Sequence, residues 1–515
     1  MQRGHQQWRR LVIAAGAAGL LTACQNMPEA KMPNLAALTG PSVAKVGDLP
    51  KVDTPQWDDA AEDVNDNRAL GYGLVHMPAM EDYLNQLYAK IKQTAEVPDW
   101  PGKVYVSSES TLNAHATGAG NIYVNIAVLQ SFESEDEIFA LLSHEFAHVY
   151  LGHQSAFRAR LVTESAALLA IGIKTLAKEV NTRGWGSQDN ISVATAAANS
   201  LILPAWQRSV EEQADLLGAT ISLRNGYSYA SGFKAFLERV ADVEQNAARE
   251  AQALAQAKRA QAIQARKTGV DKAVGEVGDS ISDQVGALLA GAAQDHADAV
   301  AREDALSKQV VPLLPSPRPQ PRIEPWNRAL KEKRNAEVLA HYALFPRIDQ
   351  LLAANKPRDA LKLARTAASG ATAGDGTAVA YLYNAMQKGG VNRNEQLKAL
   401  QRNQAWPQRS WAVQMMIATS LAGSDKPRAR AFLDQQYADF GRAQRTTPDV
   451  IGFYMTINDA QGAKQMAVAC SLANPRYRAV CLDRAQTDAE RRAAQAQSEA
   501  RSKAIADQAL EKIKF

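Results

Sequence analysis

Three of this chain's eight histidines fall within SHEFAHVYLGH, at positions 144, 148 and 153. His144 and His148 stand at i and i+4, so on a helix their rings share one face about one turn apart. Two imidazoles placed in this way can hold one small metal ion. Glu145, beside the first, can reach a water on that ion. The chemistry this suggests is metal-assisted hydrolysis, with Glu145 as the general base. A zinc ion needs a third protein ligand and an open position for water. RSVEEQADLLG, further along the chain, carries Glu211 and Asp215, again at i and i+4. One carboxylate can bind the ion while the other accepts a hydrogen bond from a ligating imidazole and orients it.

These residues need helices, and the flanking sequence supplies them. Ser134 and Glu137 form a capping-box pattern ahead of SHEFAH, and Glu135 and Asp136 suit a helix N-terminus. Ile138, Leu141 and Leu142 start an apolar stripe. RSVEEQADLLGATISLRNGY reads as a second helix ending near Gly226. Upstream, MEDYLNQLYAKI has helical spacing, while KVYVSS and NIYVNIAVL read as strands. NIYVN suits an edge strand able to pair with an extended peptide. SAALLAIGIKTLA and ISVATAAANSLILPAW are too short or too interrupted to span a bilayer, and read as core helices or an amphipathic lid. From about 245 the composition turns to Ala, Gln, Lys, Arg and Asp, as in long exposed helices. VVPLLPSPRPQPRIEPW is a Pro-rich break. Beyond it, NKPRDALKLA at 355 and DKPRARAFL at 425 are 70 residues apart, two periods of a helical repeat, with NRNEQLKAL as a weak unit between them.

With 515 residues, 46% of them hydrophobic, the chain is long enough for two or three domains. Its net charge is +4, and Arg3, Arg9 and Arg10 account for three of those charges, so the rest carries almost no bias toward nucleic acid or anionic lipid. Those arginines precede LVIAAGAAGLLTA, a short apolar run ending at Cys24, which describes a secretory leader. LTAC resembles the bacterial lipobox, which implies cleavage before Cys24, acylation there and anchoring to a membrane. Gln25 in place of aspartate then suggests the outer membrane, facing the periplasm. Cys470 and Cys481 are the other two cysteines, read as one disulfide or as two buried thiols.

Around the histidine helix the chain resembles the M48 family of zinc metallopeptidases, over about Leu70 to Phe236. The resemblance is carried by NAHATGAGNIYVNIAVL, HEFAHVYLGH and RSVEEQADLLG. The family's Arg-x-x-Glu-x-x-Ala-Asp pattern is met by Arg208, Glu211, Ala214 and Asp215. This implies His144, His148 and Glu211 as ligands of one Zn2+ per chain, with Asp215 behind a ligand. Glu212 is the rival of Glu211 by helical register. Gln213 stands where glutamate is common in the family. Arg208 is a candidate oxyanion stabiliser. His153 does not fit a third-histidine pattern and reads as a helix C-terminal cation or a local hydrogen-bond partner. Members with C-terminal tetratricopeptide-like repeats act in outer-membrane protein quality control. They can carry a His-Pro…Arg segment that caps the zinc. His341 and Arg347 match its spacing, with Tyr342 in place of proline; alternatively, His341 belongs to the first repeat helix.

The expected fold is mainly α: an α+β zincin-type peptidase domain with a small β-sheet, then an α-helical repeat domain. The expected divisions are a leader at 1–23, a tether at 24–65, the peptidase domain at 66–245, a helical insertion or coiled segment at 246–310, a Pro-rich linker at 311–325 and degenerate repeats at 326–500. The expected function is a lipid-anchored zinc endopeptidase of the cell envelope. It acts on misfolded or stalled periplasmic and outer-membrane polypeptides, with assembly machinery as a partner through the repeats and no nucleic acid. The alternative is a periplasmic chaperone or scaffold with a latent metal site, acting through its repeats.

Overall fold

The helix that carries His144 and His148 is buried along its whole length, all sixteen residues from Glu135 to Tyr150. The computed structural model that shows this describes residues 42–153, 203–243, 245–246, 249, 299–473, 477–487 and 489–493. Cys24 and the leader, the SAALLAIGIKTLA patch, most of ISVATAAANSLILPAW and most of the 246–310 segment lie outside the described residues.

The N-terminal part sets α1 (Ala60–Arg68) and α2 (Pro78–Thr94) before the strands β1 (Val104–Ser107), β2 (Ala114–Ala116) and β3 (Ile122–Asn125). The sheet order is β1-β3-β2, with β1 parallel and β2 antiparallel to β3. β3 is therefore the middle strand, paired on both sides, and the expectation that NIYVN forms an edge is corrected. Its four residues are all buried, as a strand flanked on both sides requires. A short helix, α3 (Ile126–Ser131), leads to the buried α4 (Glu135–Tyr150). Ser134 caps α4 by accepting from the Glu137 N–H, and Glu137 reaches back to the Glu133 N–H, one residue before the usual capping-box partner.

α5 (Leu203–Arg224) packs along α4, followed by a π-helical turn at Ala230–Lys234. α6 (Ala299–Val310) lies on α5 and turns Ala299, Arg302, Leu306 and Val310 inward. Residues 42–50, within the stretch read as a tether, also pack on this unit. Val43 and Val46 are buried, the Gly47 N–H donates to Thr220 Oγ1 at 2.8 Å, and Tyr150 OH donates to the Pro50 carbonyl at 2.8 Å.

The rest is helical: α7 (Ile323–Leu330) and α8 (Lys333–Tyr342), then four successive helix pairs. They are α9 (Phe345–Ala353) with α10 (Pro357–Ala367), α11 (Gly376–Lys388) with α12 (Arg393–Gln401), α13 (Trp411–Ala422) with α14 (Lys426–Asp439), and α15 (Thr447–Thr456) with α16 (Ala460–Ala473); α17 (Arg478–Arg484) follows. The second helices begin at 357, 393, 426 and 460, close to the period read from the sequence, and NRNEQLKAL is one of them. The protein is thus mainly α-helical, with a small three-stranded sheet followed by an extended helical repeat region. One hydrophobic core runs from Val43 through the peptidase-like unit into the first repeats, across 311–325. Trp326, fully buried, ties the two together by donating its indole N–H to the Phe132 carbonyl at 2.8 Å. A second core fills the later repeats, and α11 serves both: Ala378 and Leu382 face the first, Val379 the second. Cys470 and Cys481 are joined as a disulfide between α16 and α17, with Cα atoms 6.3 Å apart. Among the described residues, no helix is long and apolar enough to cross a membrane.

Candidate metal centre

α4 presents His144 and His148 on one face, and α5 lies against that face with Glu211 and Asp215. All four are buried. The two Nε2 atoms are 3.2 Å apart; His144 Nε2 is 3.3 Å from Glu211 Oε2, and His148 Nε2 is 3.5 Å from Glu211 Oε1. Tetrahedral zinc with bonds of about 2.0–2.1 Å needs donors roughly 3.3–3.4 Å apart. The closest approaches of the three side chains lie near this spacing, those of Glu211 through both of its oxygens, and among the described residues they form the one cluster of three or more such side chains able to hold a metal ion. Glu212, the register rival, is exposed on α5.

Each imidazole is held from behind. His144 Nδ1 lies 2.9 Å from Asp215 Oδ1, which leaves Nε2 for the metal. His148 Nδ1 lies 3.0 Å from His153 Nδ1. His153 is therefore a local hydrogen-bond partner. Burial pushes its pKa down to about 4, against the pull of Glu211, so it is not a helix-end cation. Burial also acts to lower the His144 pKa, but Asp215 and Glu211 outweigh it and raise the pKa to about 10. Burial acts to raise the Asp215 pKa; the Arg302 guanidinium and His144 reverse this and hold the carboxyl below its usual range.

Glu145, only 2% exposed, follows His144 on α4. Arg208 is exposed on α5, one turn before Glu211. The guanidinium buried at the acids is that of Arg302, which the sequence reading placed in an exposed insertion. It was discernible only as an arginine on the apolar stripe of Ala299, Leu306 and Val310. His341 lies on α8, half-buried, with Nδ1 2.6 Å from Thr372 Oγ1, and is outside the metal-capable group.

A His/His/Glu donor set on two packed helices beside a small sheet defines a candidate zinc-metallopeptidase site. Residues 78–304 match the model of Peptidase family M48. The match continues through the stretch read as an insertion and includes Arg302. The chain is 25% identical over 172 residues to a beta-barrel assembly-enhancing protease of Yersinia pestis, covering 33% of this chain and 34% of that protein. It is 23% identical over 173 residues to the protein of that name in Escherichia coli K12, with the same coverage. The aligned part thus spans about a third of the length of the curated relatives it matches. This part of the chain is a peptidase-family domain homologous to theirs.

Proposed function

We propose that this chain is a zinc-dependent endopeptidase of the bacterial cell envelope, cleaving misfolded or stalled periplasmic and outer-membrane proteins. The observation that carries the reading is the convergence of the His144, His148 and Glu211 side chains, with Glu145 on the same buried helix as the two histidines. When bound there, Zn2+ supplies Lewis acidity that makes water a nucleophile near neutral pH and polarises a peptide carbonyl. Glu145 takes the proton of the attacking water on its carboxylate and returns it to the leaving amine. Asp215 and His153 hold the two ligand rings in place through their Nδ1 atoms. Arg208, one turn before Glu211 on α5, is assigned to the developing oxyanion. Burial of His144, Glu145, His148, Glu211 and Asp215 keeps bulk water from screening the charges at the metal, while Arg208 would act from the exposed side of α5.

The names of the two relatives point to β-barrel proteins under assembly as clients. The helix pairs from α9 to α16 then serve as the surface for clients or for assembly machinery. Cys24, acylated after removal of residues 1–23, anchors the chain to the outer membrane on its periplasmic side. The divisions are those of the sequence reading, except that residues 42–50 and α6 belong to the peptidase unit on which they pack.

Glu145→Gln tests the reading. The change keeps size and shape, so the variant should fold and hold one zinc per chain. Turnover of an unfolded substrate should fall by about 10²–10⁴-fold. In cells it should resemble a deletion. A zinc-loaded variant that cleaves at the normal rate, with contaminating proteases excluded, would overturn the mechanism. Normal cell behaviour with no cleavage would favour a scaffold acting through the repeats.

A further inference from the structure

We propose that Arg302 is a positioning residue of the metal centre, its guanidinium fixing Glu211 and Asp215 in the arrangement that binds the ion and thereby setting zinc affinity from outside the ligand set. The inference rests on the metallopeptidase reading above. Arg302 is 2% exposed, and each of its three guanidinium nitrogens faces a carboxylate. Nε donates to Asp215 Oδ2 at 2.7 Å and Nη2 to Asp215 Oδ1 at 2.8 Å, while Nη1 lies 3.2 Å from Glu211 Oε2. Asp215 Oδ1 also meets His144 Nδ1, and Glu211 Oε2 faces His144 Nε2. Arg302, Asp215, His144 and Glu211 thus close a ring of four side chains, each held on two sides.

Two consequences follow. Two buried carboxylates on neighbouring turns of α5 repel one another when no cation lies between them. Arg302 supplies that cation permanently, so the pair stays in place whether or not zinc is bound. The fork is also planar, with fixed directions, and only guanidinium can grip one carboxylate bidentately while reaching a second; an ammonium is a point charge without this geometry. α6 does not depend on Arg302 to dock. Leu306 and Val310 are buried, and Gln309 Oε1 accepts from the Val46 N–H at 3.2 Å. Loss of the fork should therefore loosen the ligand without removing the helix.

The full-length protein, stripped of metal with a chelator, is titrated with zinc against a chromophoric competitor. The variants are Arg302→Lys, Arg302→Gln and, as a control on the exposed side of α6, Lys308→Ala. Arg302→Lys and Arg302→Gln should keep the wild-type circular dichroism spectrum yet bind zinc about 10–100-fold more weakly. Their Co2+-substituted forms should show altered visible ligand-field bands, which a purely structural role would leave unchanged. Lys308→Ala should match wild type in both measurements. If Arg302→Gln does not fold, Arg302→Lys, which keeps the buried charge, carries the measurement. Folded variants with wild-type zinc affinity and cobalt spectra overturn the role of Arg302 and leave the metal centre standing. A wild-type chain that takes up no zinc removes the metal reading and the inference together.

Discussion

His153 and His148 meet through their Nδ1 atoms, 3.0 Å apart, on the side of His148 away from Glu211. One of the two nitrogens must carry the proton and the other accept it. A His148 that offers its Nε2 lone pair to a metal must keep its proton on Nδ1. His153 must then be neutral with a bare Nδ1, the direction in which burial pushes its pKa. His153→Phe keeps a buried ring but removes the acceptor. Zinc affinity should fall on the order of 10–100-fold, read by competition titration. Unchanged affinity would remove His153 from the site.

Asp136, the second residue of α4, accepts from two backbone donors in distant segments. These are the Ser228 N–H on Oδ1 at 2.7 Å and the Arg322 N–H on Oδ2 at 2.6 Å. The carboxylate thus ties the metal-bearing helix both to the turn after α5 and to the entry of α7. Asp136→Ala leaves two buried or half-buried donors without partners, at about 1–3 kcal/mol each. Urea denaturation should show a loss of roughly 2–5 kcal/mol. A loss below about 1 kcal/mol would show that water or another acceptor replaces the clamp.

Asp375 caps α11, its Oδ1 accepting from the Ala378 N–H at 3.1 Å and from Tyr342 OH at 3.0 Å. Burial lifts its pKa to about 6, and those hydrogen bonds only partly offset the shift. In the unfolded chain the group titrates near 3.9. Between about pH 4 and pH 6 the folded state therefore holds more protons than the unfolded one. The contribution of this group is fully present below about pH 4 and is lost as pH rises through 6, on the order of 3 kcal/mol. Asp375→Asn keeps the acceptor without the charge. Relative to wild type it should gain stability at pH 7.5 and little at pH 4. An equal effect at both values would mean that folding does not shift the pKa of this group.

What could be read in advance was local. His144, Glu145 and His148 share one turn of one helix, as do Glu211 and Asp215, so their spacing already fixed which side chains could meet. The helix pairs were legible for the same reason, through Pro357 and Pro427 in the first turns of α10 and α14. Relations between distant segments were not. Arg302 is 87 residues from Asp215, and its neighbours Glu303, Asp304 and Lys308 make the stretch look like a solvated helix. Strand order is equally nonlocal, and β3 became central because β1 and β2 both pair with it. Residues 311–325 look like a linker by composition, yet Trp326 directly after them buries its ring against the first core.

Gly218 lies on α5 seven residues after Glu211 and three after Asp215, close against the backbone of α4. A Cβ there would sit 2.6 Å from Phe233 Cζ, 3.0 Å from the His144 nitrogen and 3.1 Å from the Ser143 carbonyl carbon. Neither neighbour gives way freely, since Phe233 is packed in the core and every residue of α4 is buried. In an exposed helix, alanine for glycine stabilises by about 1 kcal/mol. Here overpacking costs about 1–3 kcal/mol and should win or cancel that gain. The sharper consequence is geometric. His144 and His148 belong to one helix and Glu211 to the other, so any widening separates the donors, and such sites tolerate only about 0.5 Å. Gly218→Ala should keep the helical circular dichroism spectrum, melt no higher than wild type and bind zinc about tenfold more weakly. A variant that is more stable and binds zinc as tightly as wild type would show that the contact between α4 and α5 does not set the donor spacing.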